Sequence, residues 1–306
     1  VIEIEVVGAG TVTGAGKRDV LEHLQCDEHQ PAPHGRDDGA GNPPNPRGHR
    51  TAYLWEQVLL PHNWLGILGR FMHSEPLPAS ENMRGERRPK AKLLFPRYHQ
   101  WDAVTKIVDH VKTHGTGSRY LVQHSAGSGK TNSIAWTAHA LSTLHTADPG
   151  DSADPGAAQR KTYSSVIVLT DRTVLDDQLQ RAIKEIDQSD GIGVTAVTQT
   201  EAARRGLGSK SQLLAKAIND GDPIVVTTIQ TFPHALALMD AQSDRRFAIL
   251  IDEAHQSQDG EAGRTVDAAL ARQEGFEWDP ETQTLLDADG VEVSAEEFDT
   301  SVEATM

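Results

Sequence analysis

Two short motifs combine residue types and spacings suited to phosphate chemistry. The first, His124-Ser-Ala-Gly-Ser-Gly-Lys-Thr131, is rich in glycine and ends in a lysine and a hydroxyl. In such a loop, backbone N–H groups and the following helix N-terminus converge on phosphate oxygens, while the lysine and hydroxyl serve the phosphates and Mg²⁺. The sequence therefore predicts a nucleoside triphosphate site formed by Ala126, Gly127, Ser128, Gly129, Lys130 and Thr131.

The first position of this loop departs from the usual pattern. G-x-x-x-x-G-K-[ST] begins with glycine, whereas this chain has His124. The flanking residues still favour the phosphate loop, because 120–123 are typical of a strand and Ile134, Ala138 and Leu141 mark one face of a following helix. A glycine-rich turn with an incidental lysine is the alternative interpretation.

The second motif, Phe247-Ala-Ile-Leu-Ile-Asp-Glu-Ala-His255, places two carboxylates after an apolar run. That run is typical of a strand buried on both faces of a parallel sheet. Asp252 would hold Mg²⁺ and Glu253 would orient the attacking water. Alone, such an acidic pair is more often a strand-end cap. With the loop, it predicts catalytic roles for Lys130, Asp252 and Glu253, and Mg²⁺ ligation by Thr131 and Asp252.

The net charge of −15 is concentrated at one end of the chain. Residues 256–306 contain 14 Asp and Glu against 2 Arg, a net charge of −12, and the other 255 residues carry only −3. The acidity therefore does not exclude a nucleic-acid groove in the larger part. Residues 74–92 are polar and basic, and a solvated linker is favoured over a phosphate-backbone contact.

Other features bear on location. No run of 18 apolar residues is present, no secretory signal opens the chain, and the single Cys26 excludes an intramolecular disulfide. We therefore expect a cytoplasmic protein with no membrane partner. Because the first residue is Val1, we expect a fragment. A zinc site is disfavoured because it would have one thiol; its candidate ligands are His23, Cys26, His29 and His34.

Strands and helices are predicted to alternate from about residue 93 onward. This order predicts an α/β fold with a parallel, doubly wound sheet. Residues 1–50 show little periodicity, and two short amphipathic helices follow at 51–59 and 64–71. We predict the end of an upstream domain and a connecting segment, mostly irregular or helical, at 1–92, and a nucleotide-binding lobe at 93–270. Residues 271–306 are predicted to form a flexible acidic tail or the start of an inter-lobe segment. The predicted elements of the lobe are 120–123, 130–144, 164–170, 174–187, 193–198, 210–218, 223–228 and 246–251.

Several segments together resemble the motor (R) subunit of type I restriction enzymes, a family within the DEAD/DEAH-box helicase superfamily 2. Besides the two motifs above, the resemblance is carried in chain order by Gly39-Ala-Gly-Asn-Pro-Pro-Asn-Pro46, Thr51-Ala-Tyr-Leu-Trp-Glu56, Pro96-Arg-Tyr-His-Gln100, Leu169-Thr-Asp-Arg-Thr-Val-Leu-Asp-Asp-Gln178 and Thr227-Thr-Ile-Gln-Thr-Phe232. It implies a RecA-like P-loop NTPase lobe that uses ATP and Mg²⁺. His124 is typical of this family.

The resemblance also implies roles for residues outside the two motifs. Arg97 and Gln100 look like an adenine-reading element, with an ordinary polar helix start as the alternative. Two further segments resemble motifs that contact DNA without reading bases. Helix capping by Asp171 and Thr228 is compatible with that role. The implied DNA-contacting residues are Asp171, Arg172, Gln178, Thr227, Thr228 and Gln230.

At the level of function, the resemblance implies the ATP-dependent DNA translocase part of a type I restriction endonuclease. Its partners would be duplex DNA and the modification and specificity subunits. The chain contains no E-x-K sequence, so we expect the nuclease centre outside it. A second lobe would also lie outside, and we expect the isolated chain to bind ATP weakly with negligible hydrolysis. Alternatives are another superfamily 2 DNA or RNA helicase, a P-loop ATPase that does not act on nucleic acid, and a binding module with a structural nucleotide.

Overall fold

The fold is known from a computed structural model of the chain. The structure describes residues 2–8, 22–24, 49, 51–81, 87–116, 118–122, 124, 127–146, 159–170, 179–186, 191–236, 238, 245–252, 277–279, 284–286 and 292–293. Its strands are β1 (Ile2–Gly8), β2 (Glu22–Leu24), β3 (His73–Glu81), β4 (Arg87–Leu94), β5 (Arg119–Val122), β6 (His145–Thr146), β7 (Arg160–Lys161), β8 (Ser165–Thr170), β9 (Val194–Ala196), β10 (Ile224–Thr228), β11 (Arg246–Asp252), β12 (Glu277–Asp279), β13 (Thr284–Leu286) and β14 (Glu292–Val293).

Seven α-helices accompany these strands in the described residues. They are α1 (Pro61–Arg70), α2 (Tyr98–His114), α3 (Lys130–Ser142), α4 (residues 179–186), α5 (Gln199–Arg204), α6 (Lys210–Asp220) and α7 (Phe232–Leu236). A π-helical turn, Leu54–Val58, precedes α1, and Pro61 occupies the first turn of α1, where its missing N–H costs nothing. None of the described helices is long and apolar enough to cross a membrane.

The main sheet has seven strands in the order β2-β5-β1-β11-β8-β10-β9. The strands β11, β8, β10 and β9 are mutually parallel, as are β2 and β5. The prediction of an α/β fold around a parallel sheet is therefore confirmed, and α3, α4 and α6 lie where the sequence placed helices. The short helix α5 was not predicted.

Burial on both faces of the sheet follows from the two-residue repeat of a strand. In β8, Val166 and Val168 pack into the core that contains α2, α3 and α4, while Ile167 and Leu169 pack into the core beneath α5, α6 and α7. Every residue of β8 is buried. Helices thus cover both faces, which is the doubly wound arrangement that the alternating sequence pattern predicts.

The sequence pattern did not predict β1, a strand in the interior of the main sheet. Residues 2–8, which showed little periodicity, form β1 between β5 and β11 and run antiparallel to both. Ile2 is aligned with Val122 on one side and with Asp252 on the other. The expectation of irregular structure there is wrong for these seven residues.

The sequence also did not predict β2, the short pair of β6 and β7, or the strands of two further regions. Within the polar segment at 74–92, the antiparallel pair of β3 and β4 replaces the expected linker, with Glu75 opposite Lys92. Just before β3, the carbonyl oxygen of Phe71 accepts a hydrogen bond from Trp136 Nε1 of α3 at 3.0 Å. This bond holds the chain that leads into β3 against α3. In the acidic C-terminal part, β12, β13 and β14 form a small antiparallel sheet.

Candidate nucleotide-binding site

The predicted site lies at the edge of the sheet where the parallel strands end. Val122, the last residue of β5, and Asp252, the last residue of β11, are level with each other because both align with Ile2. Two strand spacings separate them, about 9–10 Å. In open α/β sheets, ligands bind outside the carboxyl ends of the strands. The loop that follows β5 and Asp252 therefore lie at the same end of the sheet.

The described part of the loop has the backbone that its glycines permit. Gly127 and Gly129 have φ of +78° and +85°, in the left-handed region that favours glycine. Among the described residues, no atom lies within 4 Å of a β-carbon built on Gly127, so they leave this side of the loop open. The helix α3 begins at Lys130, directly after Gly129. Its N-terminus supplies the dipole and N–H groups that attract phosphate.

Gln100, in the first turn of α2, holds the loop through its side-chain amide. Gln100 Nε2 donates to the carbonyl oxygens of Ser128 at 3.1 Å and Gly129 at 2.9 Å. Its Oε1 accepts from the backbone N–H of Arg97 at 2.8 Å. Gln100 is buried, so these bonds form away from competing water. The Gln100 amide is therefore directed at the phosphate loop itself.

Arg97 adds a weaker contact at the exposed side of the same loop. Its Nη1 donates to the carbonyl oxygen of Gly127 at 3.3 Å. The adenine-reading role that the resemblance implies for Arg97 and Gln100 stays a prediction. The structure places both residues beside the loop, with their polar atoms bonded to its backbone.

The loop fits a triphosphate for a geometric reason. In a trans peptide the C=O and N–H groups point in opposite directions. Because α2 holds three successive carbonyl oxygens of the loop, those of residues 127–129, the N–H groups of the same peptide units face away from α2. Ser128 Oγ is also buried and has no hydrogen-bond partner among the described residues. This arrangement suits an anion with many acceptor oxygens.

The predicted metal ligands are oxygen donors of the type that Mg²⁺ prefers. Thr131 is half-buried in the first turn of α3, and Asp252 is 9% exposed at the end of β11. Lys130 is half-buried beside Thr131. The positions of Ala126 and Glu253 lie outside the described residues, and so do those of the candidate zinc ligands Cys26, His29 and His34.

The residues proposed to contact DNA begin at the same sheet edge. The parallel register places Thr170 level with Thr228, and the neighbouring pair Leu169 and Ile251 places Thr170 beside Asp252. Asp171, Arg172 and Gln178 follow Thr170 but lie outside the described residues. The carboxyl ends of β8 and β10 therefore lie on the same side of the sheet as Asp252.

Solvent exposure differs among the three residues at the end of β10 and just after it that were predicted to contact DNA. Thr227 is fully buried, and Thr228 is 6% exposed with its hydroxyl 2.9 Å from that of Thr231. Gln230 is exposed. Thr228 precedes a 3₁₀ turn, Ile229–Thr231, but its side chain makes no cap hydrogen bond. In this conformation Gln230 is the most accessible of the three predicted contacts.

Sequence reasoning missed one residue of this site, His99. It is buried, and its Nε2 lies 3.2 Å from the carbonyl oxygen of Ser128. Its ring meets the ring of His124 edge to face, with centroids 4.9 Å apart. The available signal was its position between Arg97 and Gln100, both assigned to nucleotide binding.

A separate cavity of about 250 Å³ lies away from the loop, between α1, α2 and α3. Phe71, Trp101 and Trp136 form its apolar part, and Arg70 and Lys112 lie among its polar residues. None of the phosphate-loop residues lines it. We assign the nucleotide site from the loop, the helix N-terminus and Asp252, because phosphate recognition requires hydrogen-bond donors more than apolar volume.

The sequence profile of the SWI2/SNF2 ATPase family matches residues 99–278, more than half of the 306-residue chain. The chain belongs to the SWI2/SNF2 ATPase family. The match begins at His99 in α2 and includes the phosphate loop and Asp252. The RecA-like lobe that the sequence predicted is thereby confirmed, and the use of ATP follows from the family.

Curated relatives give a weaker, more specific similarity. Type I restriction enzyme endonuclease subunits of Staphylococcus aureus strains COL and MSSA476 are each 27% identical to this chain over 178 residues. The aligned part is 57% of this chain and 16% of each relative. The chain thus spans about one sixth of the length of these relatives.

Proposed function

We propose that this chain is the ATP-hydrolysing, DNA-translocating lobe of a type I restriction endonuclease R subunit. The observation that carries the proposal is the sheet register, in which Val122, just before the phosphate loop, is level with Asp252 at the carboxyl ends of β5 and β11. The family match supports ATP hydrolysis, and the similarity to restriction endonuclease subunits supports the restriction role. We propose the lobe at 93–270, between an upstream segment at 1–92 and an acidic part at 271–306.

Each residue of the site has a role that its chemistry supports. Residues 126–131 bind the phosphates through backbone N–H groups, and Lys130 neutralises charge on the β- and γ-phosphates. Mg²⁺, when bound, would offset the charge that develops on the phosphates. Thr131 and Asp252 would hold it. Glu253 orients the attacking water, and Arg97 and Gln100 combine loop contacts with adenine recognition.

Translocation requires a DNA-contacting surface beside this site. We assign it to Asp171, Arg172 and Gln178, which follow β8 in the sequence, and to Thr227, Thr228 and Gln230. Thr227 and Thr228 are the last two residues of β10, and Gln230 follows that strand. Polar side chains that contact phosphates and sugars suit movement that is independent of sequence. In the complete enzyme the partners would be duplex DNA and the modification and specificity subunits, in the cytoplasm.

Nucleotide binding and DNA-stimulated turnover test the proposal separately. Binding of a fluorescent ATP analogue in the presence of Mg²⁺ should be lost in Lys130→Ala and retained in Lys216→Ala, a control on the surface of α6 where Lys216 pairs with Asp220 at 2.9 Å. The ATPase rate of the complete R subunit that contains this chain should rise with duplex DNA. Equal binding by the two variants would refute the assignment of the phosphate loop.

A P-loop ATPase that acts without nucleic acid is the second candidate. The burial of Thr227 and Thr228 favours it, since buried hydroxyls are not presented to a DNA strand. Both candidates predict nucleotide binding that depends on Lys130. An ATPase rate that duplex DNA leaves unchanged would select this second candidate.

A further inference from the structure

We propose that His99 is a positioning residue for triphosphate binding, and that it acts by holding the Ser128 carbonyl while packing against His124. The proposal rests on the ATPase function proposed above. It gives His99 a role that differs from adenine recognition, because the atoms it touches belong to the phosphate loop.

The contact between His99 and Ser128 identifies a ring nitrogen of His99 that carries a proton. A carbonyl oxygen only accepts hydrogen bonds, so His99 Nε2, at 3.2 Å from Ser128 O, carries the proton. His99 is 2% exposed and Ser128 is 3% exposed. A hydrogen bond in such a buried place restricts the loop more than a solvated one does, because water does not compete for either group.

The contact of His99 with His124 adds a second point at which α2 holds the loop. His124 occupies the first position of the motif, where glycine is usual, and is buried. Its ring meets His99 at an interplanar angle of 82°, a favourable edge-to-face geometry. Because His99 also holds Ser128, one side chain of α2 fixes the beginning and the middle of the loop. The histidine that replaces glycine at the first position of the loop thus packs against a histidine of α2.

Fixing the Ser128 carbonyl also sets the direction of a donor. The peptide unit that joins Ser128 to Gly129 is planar, so its N–H, on Gly129, points opposite to its carbonyl oxygen. With the oxygen bonded by His99 and Gln100, the N–H faces away from α2. The donor is therefore oriented before the phosphates arrive, which lowers the entropic cost of binding.

Three variants test this role. His99→Phe keeps an aromatic ring against His124 but lacks the donor, and His99→Gln restores an N–H donor without the ring. His139→Phe is the matched control, because His139 is equally buried and its Nε2 lies 2.9 Å from the carbonyl oxygen of Ile183, away from the loop. The readouts are affinity for an ATP analogue, competition by inorganic tripolyphosphate, and amide hydrogen exchange of a peptide covering residues 124–132.

We expect His99→Phe to weaken both the ATP analogue and tripolyphosphate by roughly 10-fold, the equivalent of one lost hydrogen bond. His99→Gln should recover most of that affinity, and His139→Phe should lower the melting temperature without changing affinity. A loss confined to the ATP analogue, with tripolyphosphate unaffected, would overturn the proposal, because it would place His99 at the adenine.

Hydrogen exchange separates this proposal from the proposed function. If the wild-type chain binds neither ligand, the ATPase assignment fails, and the nucleotide-free loop still reports on His99. Exchange across residues 124–132 should be faster in His99→Phe than in His139→Phe. Equal exchange in the two variants would refute the positioning role.

Discussion

The side chain of Gln100 fills the space that a side chain at Gly129 would need. A β-carbon built on Gly129 would lie 2.5 Å from Gln100 Nε2, the atom that donates to the carbonyl oxygens of Ser128 and Gly129. The glycine is therefore required by a neighbour within the protein as well as by its backbone angles. The adenine-reading candidate and the phosphate loop form one packed unit.

Gly129→Ala should destabilise the protein by about 2–4 kcal/mol, through left-handed strain and the clash with Gln100. Gly221→Ala is the control for strain alone, because Gly221 shares the left-handed backbone of Gly129, with φ of +76° and ψ of +36°, and among the described residues the nearest atom to a built β-carbon is 4.0 Å away. Urea unfolding should show the larger loss for Gly129→Ala. Adding Gln100→Ala should cost less than the sum of the two single changes, and strict additivity would exclude the clash.

Thr227→Val should raise the free energy of unfolding by about 1 kcal/mol. Thr227 is fully buried, and its hydroxyl has no hydrogen-bond partner within the described part of the chain, so valine removes an unsatisfied polar group. In the control Thr137→Val, a buried hydroxyl that donates to the Ser133 carbonyl at 2.8 Å is lost, and no gain is expected. Thermal unfolding measures both variants. A gain accompanied by weaker DNA affinity would support the assignment of Thr227 to the DNA surface.

Tyr163→Phe should become increasingly stabilising as the pH rises above about 10. Burial raises the pKa of Tyr163, and Tyr120 adds to the increase while Arg246 opposes it. The unfolded chain then releases the tyrosine proton near its ordinary pKa of 10.0, whereas the folded chain retains it, so wild-type stability falls with rising pH. Urea unfolding at pH 8 and pH 10.5 gives the comparison. A difference between the two proteins that does not change with pH would contradict the burial effect.

Ile4→Pro should destabilise the lobe by roughly 2–4 kcal/mol and weaken nucleotide binding. Ile4 is aligned with Leu250 on one side and Tyr120 on the other, in the strand that joins the phosphate-loop strand to that of Asp252. Leu24→Pro is the control, because β2 is an edge strand of the main sheet and proline is tolerated in edge strands. Similar losses in both variants, measured by unfolding and by ATP-analogue binding, would argue against a central place for β1.

The sequence predicted the parts of the fold whose signals are local. The strands β8, β10 and β11 are continuous apolar runs, and α3 follows a phosphate-loop motif, so each was placed within about two residues. Residues 2–8 were missed because the alternation of apolar residues with glutamate, a strand signal, covers only residues 2–6 and the pairing partners lie more than 110 residues away. The pair of β3 and β4 was missed because proline and basic residues disfavour strands.

The candidate site was predictable in its residue types but not in its internal contacts. Lys130, Thr131 and Asp252 were proposed from motif spacing, and the sheet register brings their segments to one edge. Motif spacing alone does not state which groups inside the protein a polar side chain will bond. The contacts of Gln100 and His99 with loop carbonyls depend on how α2 packs against α3, which is a tertiary property.

The position of β1 has a consequence for biosynthesis. Ile2 pairs with Asp252, so β1 leaves the ribosome about 250 residues before its partner in β11 is made. At 5–20 residues per second, the backbone groups of this strand that face β11 wait roughly 10–50 s without their partners. An unpaired strand that alternates apolar and charged residues is a target for chaperones and for misassociation with neighbouring nascent chains. This central strand is thus synthesised before both of its neighbours and is fully paired only when β11 is complete.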